Sequence, residues 1–298
     1  SFSQVDDYLA CPLKYRLRHV VGVPTPPHHA LVFGNAIHQA VAGANARRVQ
    51  GRPLDRDLLE ETLAAHWAGE GFLSQEHEAA RFEAGKAALG RFADRVEQAD
   101  DHIVAVEQPF SVQLGQDRVR GRYDVVRDTP MGLVITDYKS GDVRDPARAR
   151  QRARDSLQLQ LYALAWEAEH GQRPAAVELH FLEGDVVGQV APTQRKLDGA
   201  AAKVERAAAG IRAGDFEATP GYPACDWCPY RRICPAAACA AGLHCGGCLA
   251  ENARSRSSWW PWPSRPGSRP RSCSPWSRPS VTPWRSSSVP SFSGPRPR

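Results

Sequence analysis

The sequence predicts an α/β protein, in which a central mixed sheet flanked by helices follows an N-terminal helical layer and precedes a disordered C-terminal tail. Three observations support this fold class. Helical periodicity dominates residues 31–98, strand-like patterning occupies residues 103–139, and a mixture of Ser, Pro, Arg and Trp begins near Cys239. The chain therefore divides into a folded part, residues 1–238, and a low-complexity part, residues 239–298.

The N-terminal part is predicted to be helical. Ser3-Gln4-Val5-Asp6 is typical of a capping box, and the helix that it starts should end near Cys11 or resume to about His19. A loop at residues 24–29 separates it from the helical layer. The layer consists of predicted helices at about 31–49, 55–67 and 77–98.

The sheet begins after this layer. Three strands are predicted at about 103–113, 117–126 and 133–139, and the turn Arg127 to Gly132 should fold the last two into a hairpin. A helix at about 156–169, strands near 176–182 and 186–191, and a helix at about 193–212 complete the order. No repeat, P-loop or helicase motif is visible, so these residues contain no ATP-driven motor.

Charged residues converge where the second and third strands meet. Asp137 and Lys139 share a strand face because side chains alternate, and Asp124 should lie near the end of the preceding strand. Carboxylates are ligands for Mg²⁺, which commonly binds phosphate as well, and an ammonium group can stabilise a charged phosphate. The pattern indicates a metal-dependent phosphodiesterase. The alternative is a solvated strand end with an ordinary ion pair.

Further polar residues support the first interpretation. Glu107 lies among apolar neighbours, where a carboxylate is costly unless it is paired or bound to a cation. His38 follows Gly34 by four residues, and its imidazole suits Mn²⁺ better than Mg²⁺. Gln158 and Tyr162 are four apart and share one helix face. Structural roles remain open for each: a core histidine for His38, and a helix edge packed on the sheet for Gln158 and Tyr162.

The motifs together resemble the RecB-like branch of the PD-(D/E)XK nucleases in order and spacing. The matching motifs are Gly-x-x-x-His (Gly34, His38), Glu107, Gly-Arg-x-Asp (121–124), Asp-x-Lys (Asp137, Lys139) and Gln-x-x-x-Tyr (Gln158, Tyr162). Residues 1–15 resemble the start of nuclease domains attached to UvrD-like helicases, so the resemblance covers about residues 1–238. One departure is Tyr123, which stands where the branch usually has an aliphatic residue.

The resemblance implies a restriction-endonuclease-like core and a role for each residue. His38, Asp124 and Asp137 would hold Mg²⁺ or Mn²⁺, Glu107 would assist at the same centre, and Lys139 would be the catalytic lysine.

Gln158 and Tyr162 would position the substrate strand. The implied activity is exonucleolytic hydrolysis of DNA, on single-stranded ends supplied by an upstream helicase domain or subunit in recombinational repair. Alternatives are a DNA-end binding module without cleavage and a zinc-ribbon interaction protein.

The cysteines supply a separate signal. Cys225, Cys228 and Cys234 have the spacing C-x2-C-x5-C, and Cys11 lies far upstream. Four thiolates suffice for a [4Fe-4S] cluster, and this arrangement is similar to that of AddB-type nucleases. The alternative is Zn²⁺ on Cys225, Cys228, Cys245 and Cys248. Disulfides are not favoured, because no secretory signal or membrane-length apolar run is visible and a reducing cytoplasm is expected.

Charge is distributed unevenly. The whole chain has a formal charge of +5, but residues 239–298 contain nine arginines and one glutamate, so residues 1–238 have a charge of −3. Attraction to DNA must therefore be local. The best candidate is a basic run formed by Arg144, Arg148, Arg150, Arg152 and Arg154, with a solvated loop as the alternative. The tail resembles a GC-rich gene read out of frame, and an Arg-rich nucleic-acid-binding arm is the other hypothesis.

Overall fold

A five-stranded mixed sheet is the centre of residues 1–221 and 224–237, the parts of the chain that this computed structural model describes. The strands lie in chain order across the sheet, and only β3 and β4 run parallel. Their bounds are β1 His102–Leu114, β2 Asp117–Thr129, β3 Gly132–Lys139, β4 Ala176–Phe181 and β5 Val186–Val190. The predicted α/β class and mixed sheet are confirmed.

Helices cover both faces of the sheet. In chain order they are α1 Phe2–Ala10, α2 Pro12–Tyr15, α3 His29–Val49, α4 Arg56–Ala65, α5 Gln75–Glu97, α6 Pro146–Asp155, α7 Leu157–His170 and α8 Gln194–Ala213, with a π-helical turn at Arg16–Val20. The helical layer, α3 to α5, packs on one face, and α1, α7 and α8 pack on the other. None of the helices in the described ranges is long and apolar enough to cross a membrane.

The predicted layout lacks α6, which the structure forms between β3 and α7. Asp145 caps this helix by accepting a hydrogen bond from the backbone N–H of Ala147 at 3.0 Å, and Pro146 occupies its first turn. Its buried stripe consists of Ala149 and Ala153 alone. Two alanines among arginines give little hydrophobic signal, so the pattern resembles a loop.

The start of α1 also differs from the prediction. The helix begins two residues early, with Ser1 rather than Ser3 as its N-cap, and the side chain of Gln4 accepts a hydrogen bond from the Ser1 amino group at 2.7 Å. Gln4 is three residues after Ser1, the spacing that a capping box requires. The predicted tail, residues 239–298, lies outside the described residues.

Candidate active site

Asp124 and Asp137 lie where β2 and β3 separate. The pairing of these strands runs from Thr129 and Gly132 to Val125 and Thr136, and goes no further. Asp124 is thus in the middle of β2 rather than near its end, which corrects the sequence prediction. On the side of β3 that faces β2, beyond the last β2–β3 pair, the backbone N–H of Tyr138 donates to Asp124 Oδ2 at 3.0 Å. The carboxylate replaces a strand carbonyl and is held rigidly.

Four side chains from β3 and α7 form a closed ring of polar contacts. Lys139 Nζ lies 2.7 Å from Asp137 Oδ2 and donates to Gln158 Oε1 at 2.9 Å. Gln158 Nε2 donates to the Tyr162 hydroxyl at 2.8 Å, and that hydroxyl donates to Asp137 Oδ1 at 3.3 Å. The predicted shared face of Asp137 and Lys139 is present. Gln158 and Tyr162 contact the lysine and the acid directly.

His38 and Glu107 complete this group of polar residues. His38 Nδ1 is 3.6 Å from Asp124 Oδ2, one helical turn after Gly34. A Cβ on Gly34 would stand 3.0 Å from Ser140 Oγ, so the glycine lets α3 lie close to the chain after Lys139. Glu107 of β1 lies opposite Asp124 of β2, because the residues on either side are paired, Val106 with Val125 and Gln108 with Tyr123. The structure therefore brings together the acids, the histidine and the lysine predicted from the sequence.

Glu107 has an unusual backbone. Its φ of +49° lies in the left-handed region that non-glycine residues rarely adopt. Its carboxylate accepts a hydrogen bond from Arg122 at 2.9 Å. Such strain at a residue beside two acids is typical of functional sites, where the side chain is aimed at the expense of backbone energy.

The electrostatics of the group favour binding of a cation. Burial raises the pKa of Asp124, and the neighbouring Asp137 carboxylate raises it further. Burial also lowers the pKa of His38, an effect that the Lys139 ammonium reinforces and the Asp137 carboxylate opposes, so the imidazole is held in its neutral, metal-binding form. Asp137 is 1% exposed, and the Lys139 ammonium, 2.7 Å from its Oδ2, is its charged partner. A divalent cation would relieve the repulsion between the Asp124 and Asp137 carboxylates.

The described ranges, 1–221 and 224–237, contain no three His, Cys, Asp or Glu side chains already placed to coordinate a metal ion. At the acids, two ion pairs account for this. The Lys139 ammonium pairs with Asp137 and the Arg122 guanidinium pairs with Glu107, so two of the acids already have cationic partners. In ligand chemistry the donor set, two carboxylates and a neutral imidazole, suits Mg²⁺ or Mn²⁺.

The group opens into a cleft of about 650 Å³ between α1, α3, α7 and the β1–β2 hairpin. Arg120 and Arg122 of β2 line this cleft, and neither was predicted from the sequence to have a function. A signal was available, since arginines at every second position of a strand share one face. The predicted basic run behaves differently: its five arginines are exposed on or just before α6, Arg144 pairs with Asp142, and none lines the cleft.

The cysteines predicted to bind a cluster line one cavity, but within the described residues they are not already placed to coordinate a metal ion together. Cys11, Cys225, Cys228 and Cys234 line one cavity of about 240 Å³ and are half-buried. Burial alone would raise the pKa of Cys11, but hydrogen bonds from neighbouring backbone groups outweigh it and lower that pKa. Burial raises the pKa of Cys228, and nearby Cys11 and Cys234 raise it further. The other two zinc ligands considered, Cys245 and Cys248, lie outside the described residues.

The two ends of the described chain meet at this cavity. Thr219 donates a hydrogen bond to the carbonyl of Ala10 at 3.2 Å, and the buried Tyr230 donates to the carbonyl of Val23 at 3.1 Å. Residues more than 200 positions apart are thus joined beside the cysteines.

Comparisons with known proteins identify relatives of this chain. The family model described as the PD-(D/E)XK nuclease superfamily matches residues 1–235. The Gene 69 protein of Mycobacterium phage D29 is 23% identical over 266 residues, which cover 79% of this chain and 96% of that protein. The Gene 69 protein of Mycobacterium phage L5 is 24% identical over an alignment of 288 residues, which covers 79% of this chain and 95% of that protein. A solved structure of a candidate exonuclease from Eubacterium rectale has a TM-score of 0.44 and 12% identity, over 73% of this chain and 82% of that one.

Proposed function

Since the chain belongs to the PD-(D/E)XK nuclease superfamily, we propose that it hydrolyses DNA with Mg²⁺ or Mn²⁺ held by Asp124, Asp137 and His38. The observation that carries this proposal is the ring that joins Lys139 to Asp137 beside a second, partly buried acid, Asp124. When bound, the metal would supply an activated water and offset charge on the phosphate.

The chain's own residues have distinct parts in the reaction. Lys139 places its ammonium group next to the acids, where it can stabilise negative charge that develops on a phosphate. Gln158 and Tyr162 hold that ammonium group through the ring, which makes them positioning residues. Glu107 assists once its carboxylate separates from Arg122, a partly exposed pair that little energy holds together.

We extend the proposal to the biological setting. The substrate is a single-stranded DNA end that a helicase domain or subunit delivers, and the digestion is exonucleolytic, within recombinational repair. Support comes from the resemblance of residues 1–15 to the start of helicase-attached nuclease domains.

The test compares Asp137→Ala with the parent protein on end-labelled linear and on circular single strands in Mg²⁺ or Mn²⁺. Cleavage of the linear strand should disappear with Asp137→Ala and persist with Asp198→Ala, which removes an exposed acid on α8. Lys139→Ala should lower turnover more than Mn²⁺ affinity. Undiminished cleavage by Asp137→Ala would remove the assignment. DNA binding without products from the parent protein would favour the non-catalytic module, and cleavage of circles would exclude a purely exonucleolytic enzyme.

We also propose that Cys11, Cys225, Cys228 and Cys234 hold a [4Fe-4S] cluster, with Zn²⁺ as the alternative. Support comes from their common cavity and their spacing along the chain. Protein purified without oxygen should contain about four iron atoms, and its visible absorption should bleach on reduction. Cys11→Ser should lose the iron. Zinc without iron, retained by Cys11→Ser, would support the zinc site instead.

A further inference from the structure

The outer face of the β1–β2 hairpin carries a row of arginines. Arg118, Arg120 and Arg122, here called the arginine track, occupy alternate positions of β2 and are all exposed. Between them, Val119 is buried and Gly121 packs on Phe110, so the alternation of faces is regular here. At about 3.4 Å per residue, the track extends roughly 20 Å from Asp124 to Arg118.

Among the residues that the structure describes, two of these arginines have no carboxylate partner. Arg122 pairs with Glu107, and Asp117 at the start of β2 pairs with Arg212. Within the part of the chain that the structure describes, Arg118 and Arg120 therefore keep unpaired guanidinium groups. The β1 residues across from the track are Gln113, Ser111 and Pro109, which carry no charge.

Aromatic packing holds the hairpin that carries the track. Its inner face packs Phe110 against Tyr123, with ring centroids 4.6 Å apart, and against Tyr162 at 5.7 Å. A Cβ on Gly121 would overlap the ring of Phe110, so this packing depends on a glycine between two track arginines. The guanidinium groups consequently project from a fixed backbone that leads to the cleft, and Arg120 and Arg122 line that cleft.

From this placement we infer that the arginine track binds the phosphodiester backbone of one DNA strand and guides it toward Asp124. The inference rests on the proposed function, because it takes DNA as the ligand. A single row of guanidinium groups suits a single strand, whereas a duplex presents two backbones across a groove about 12 Å wide. The residues 1–238 have a formal charge of −3, so such attraction must come from a local surface of this kind. Contacts of this type bind phosphates without reading sequence.

The test measures affinity for fluorescein-labelled oligothymidylate of about 20 nucleotides in EDTA, over about 50 to 200 mM KCl. Each phosphate contact on a single strand contributes about 0.7 to the slope of log affinity against log salt. Arg118→Gln combined with Arg120→Gln should lower that slope by about 1.4 and weaken binding about 25-fold at 0.1 M salt. Replacing both arginines by lysine should retain the parent slope, because the charge is kept.

Two matched double variants complete the design. Arg52→Gln with Arg195→Gln removes two exposed charges outside the cleft and should leave the slope unchanged. Arg148→Gln with Arg150→Gln tests the competing surface on α6. Thermal melting by circular dichroism checks that each variant is folded. An unchanged slope for the β2 pair, a larger loss for the α6 pair, or no DNA binding by the parent protein would overturn the inference.

Cleavage is not needed for this measurement, so the two proposals can fail separately. A salt-slope change without cleavage by the parent protein would retain the arginine track and reject the nuclease. Cleavage that depends on Asp137, with no change in salt slope for Arg118→Gln combined with Arg120→Gln, would retain the nuclease and reject the arginine track.

Discussion

Tyr162→Phe tests whether the ring around Lys139 positions the catalytic group or whether Tyr162 contacts the substrate strand, as the resemblance implies. The tyrosine hydroxyl accepts from Gln158 Nε2 at 2.8 Å and donates to Asp137 Oδ1 at 3.3 Å. Burial raises the pKa of Tyr162, and the charge of Asp137 raises it further, so the hydroxyl keeps its proton at working pH. It is a donor to the acid under all assay conditions.

The magnitude follows from what phenylalanine keeps and loses. The ring of Tyr162 is 3% exposed and packs edge-on against Phe110 and Tyr123, contacts that phenylalanine preserves. Only the hydroxyl disappears, which removes a hydrogen bond to a charged group, a contact that contributes about 1.5–3 kcal/mol. If about 2 kcal/mol of this orders Lys139 in the transition state, kcat should fall about 30-fold.

The assay is steady-state cleavage of a labelled single strand, with kcat and KM determined separately. A positioning role predicts a lower kcat with an unchanged KM, because the substrate does not touch the hydroxyl. Tyr123→Phe is the matched control, since its buried hydroxyl donates to Glu169 at 3.4 Å and lies outside the ring. This control should retain the parent kcat.

A raised KM with an unchanged kcat for Tyr162→Phe would refute the positioning role and favour direct contact with the strand. Equal losses in Tyr162→Phe and Tyr123→Phe would show that general loosening of the aromatic cluster, and not the ring, controls the rate.

Two further predictions concern stability. Gly188→Ala should lower the free energy of unfolding by about 2 kcal/mol, because the new Cβ would overlap the Ala149 carbonyl in α6. Gly199→Ala in α8, whose new Cβ would meet nothing within 4 Å, should raise the free energy of unfolding by up to about 1 kcal/mol. Urea titration measures the free energy of unfolding of both variants. An unchanged value for Gly188→Ala would contradict the close approach of α6 to β5. Burial alone would raise the pKa of Asp101, but Arg127 and Arg48 outweigh it and hold that pKa below its ordinary value. The stabilisation that these two ion pairs give the folded protein is complete above the unfolded pKa of about 3.9, and it is lost as pH falls through the lower folded pKa. Asp101→Asn should therefore be less stable than the parent protein at neutral pH, and it should lose less stability than the parent on acidification.

The order and type of most elements could be predicted, since the helical layer and the strands carry long, regular hydrophobic patterns. The element that sequence reasoning missed, α6, has a stripe of only two alanines. Its close packing against β5 depends on Gly188, which has no side chain to separate them. Neither feature gives a periodic apolar signal, so only the packing reveals the helix.

The site shows the same division. Residue types and spacing were sufficient to select Asp124, Asp137 and Lys139, because metal and phosphate chemistry needs acids and a cation in neighbouring strands. The contacts between Lys139, Gln158 and Tyr162 were not predictable, since they depend on how α7 lies across the sheet.

The linear pattern of this chain specifies its family, its secondary structure and the chemical types at its centre, because these depend on local periodicity and on residues at characteristic spacings. Folding in three dimensions decides which strand pair separates at Asp124, which guanidinium groups remain unpaired beside the cleft, and which side chains hold the lysine. Those properties arise from contacts between residues far apart in the chain, and such distances are set by packing rather than by spacing along the sequence.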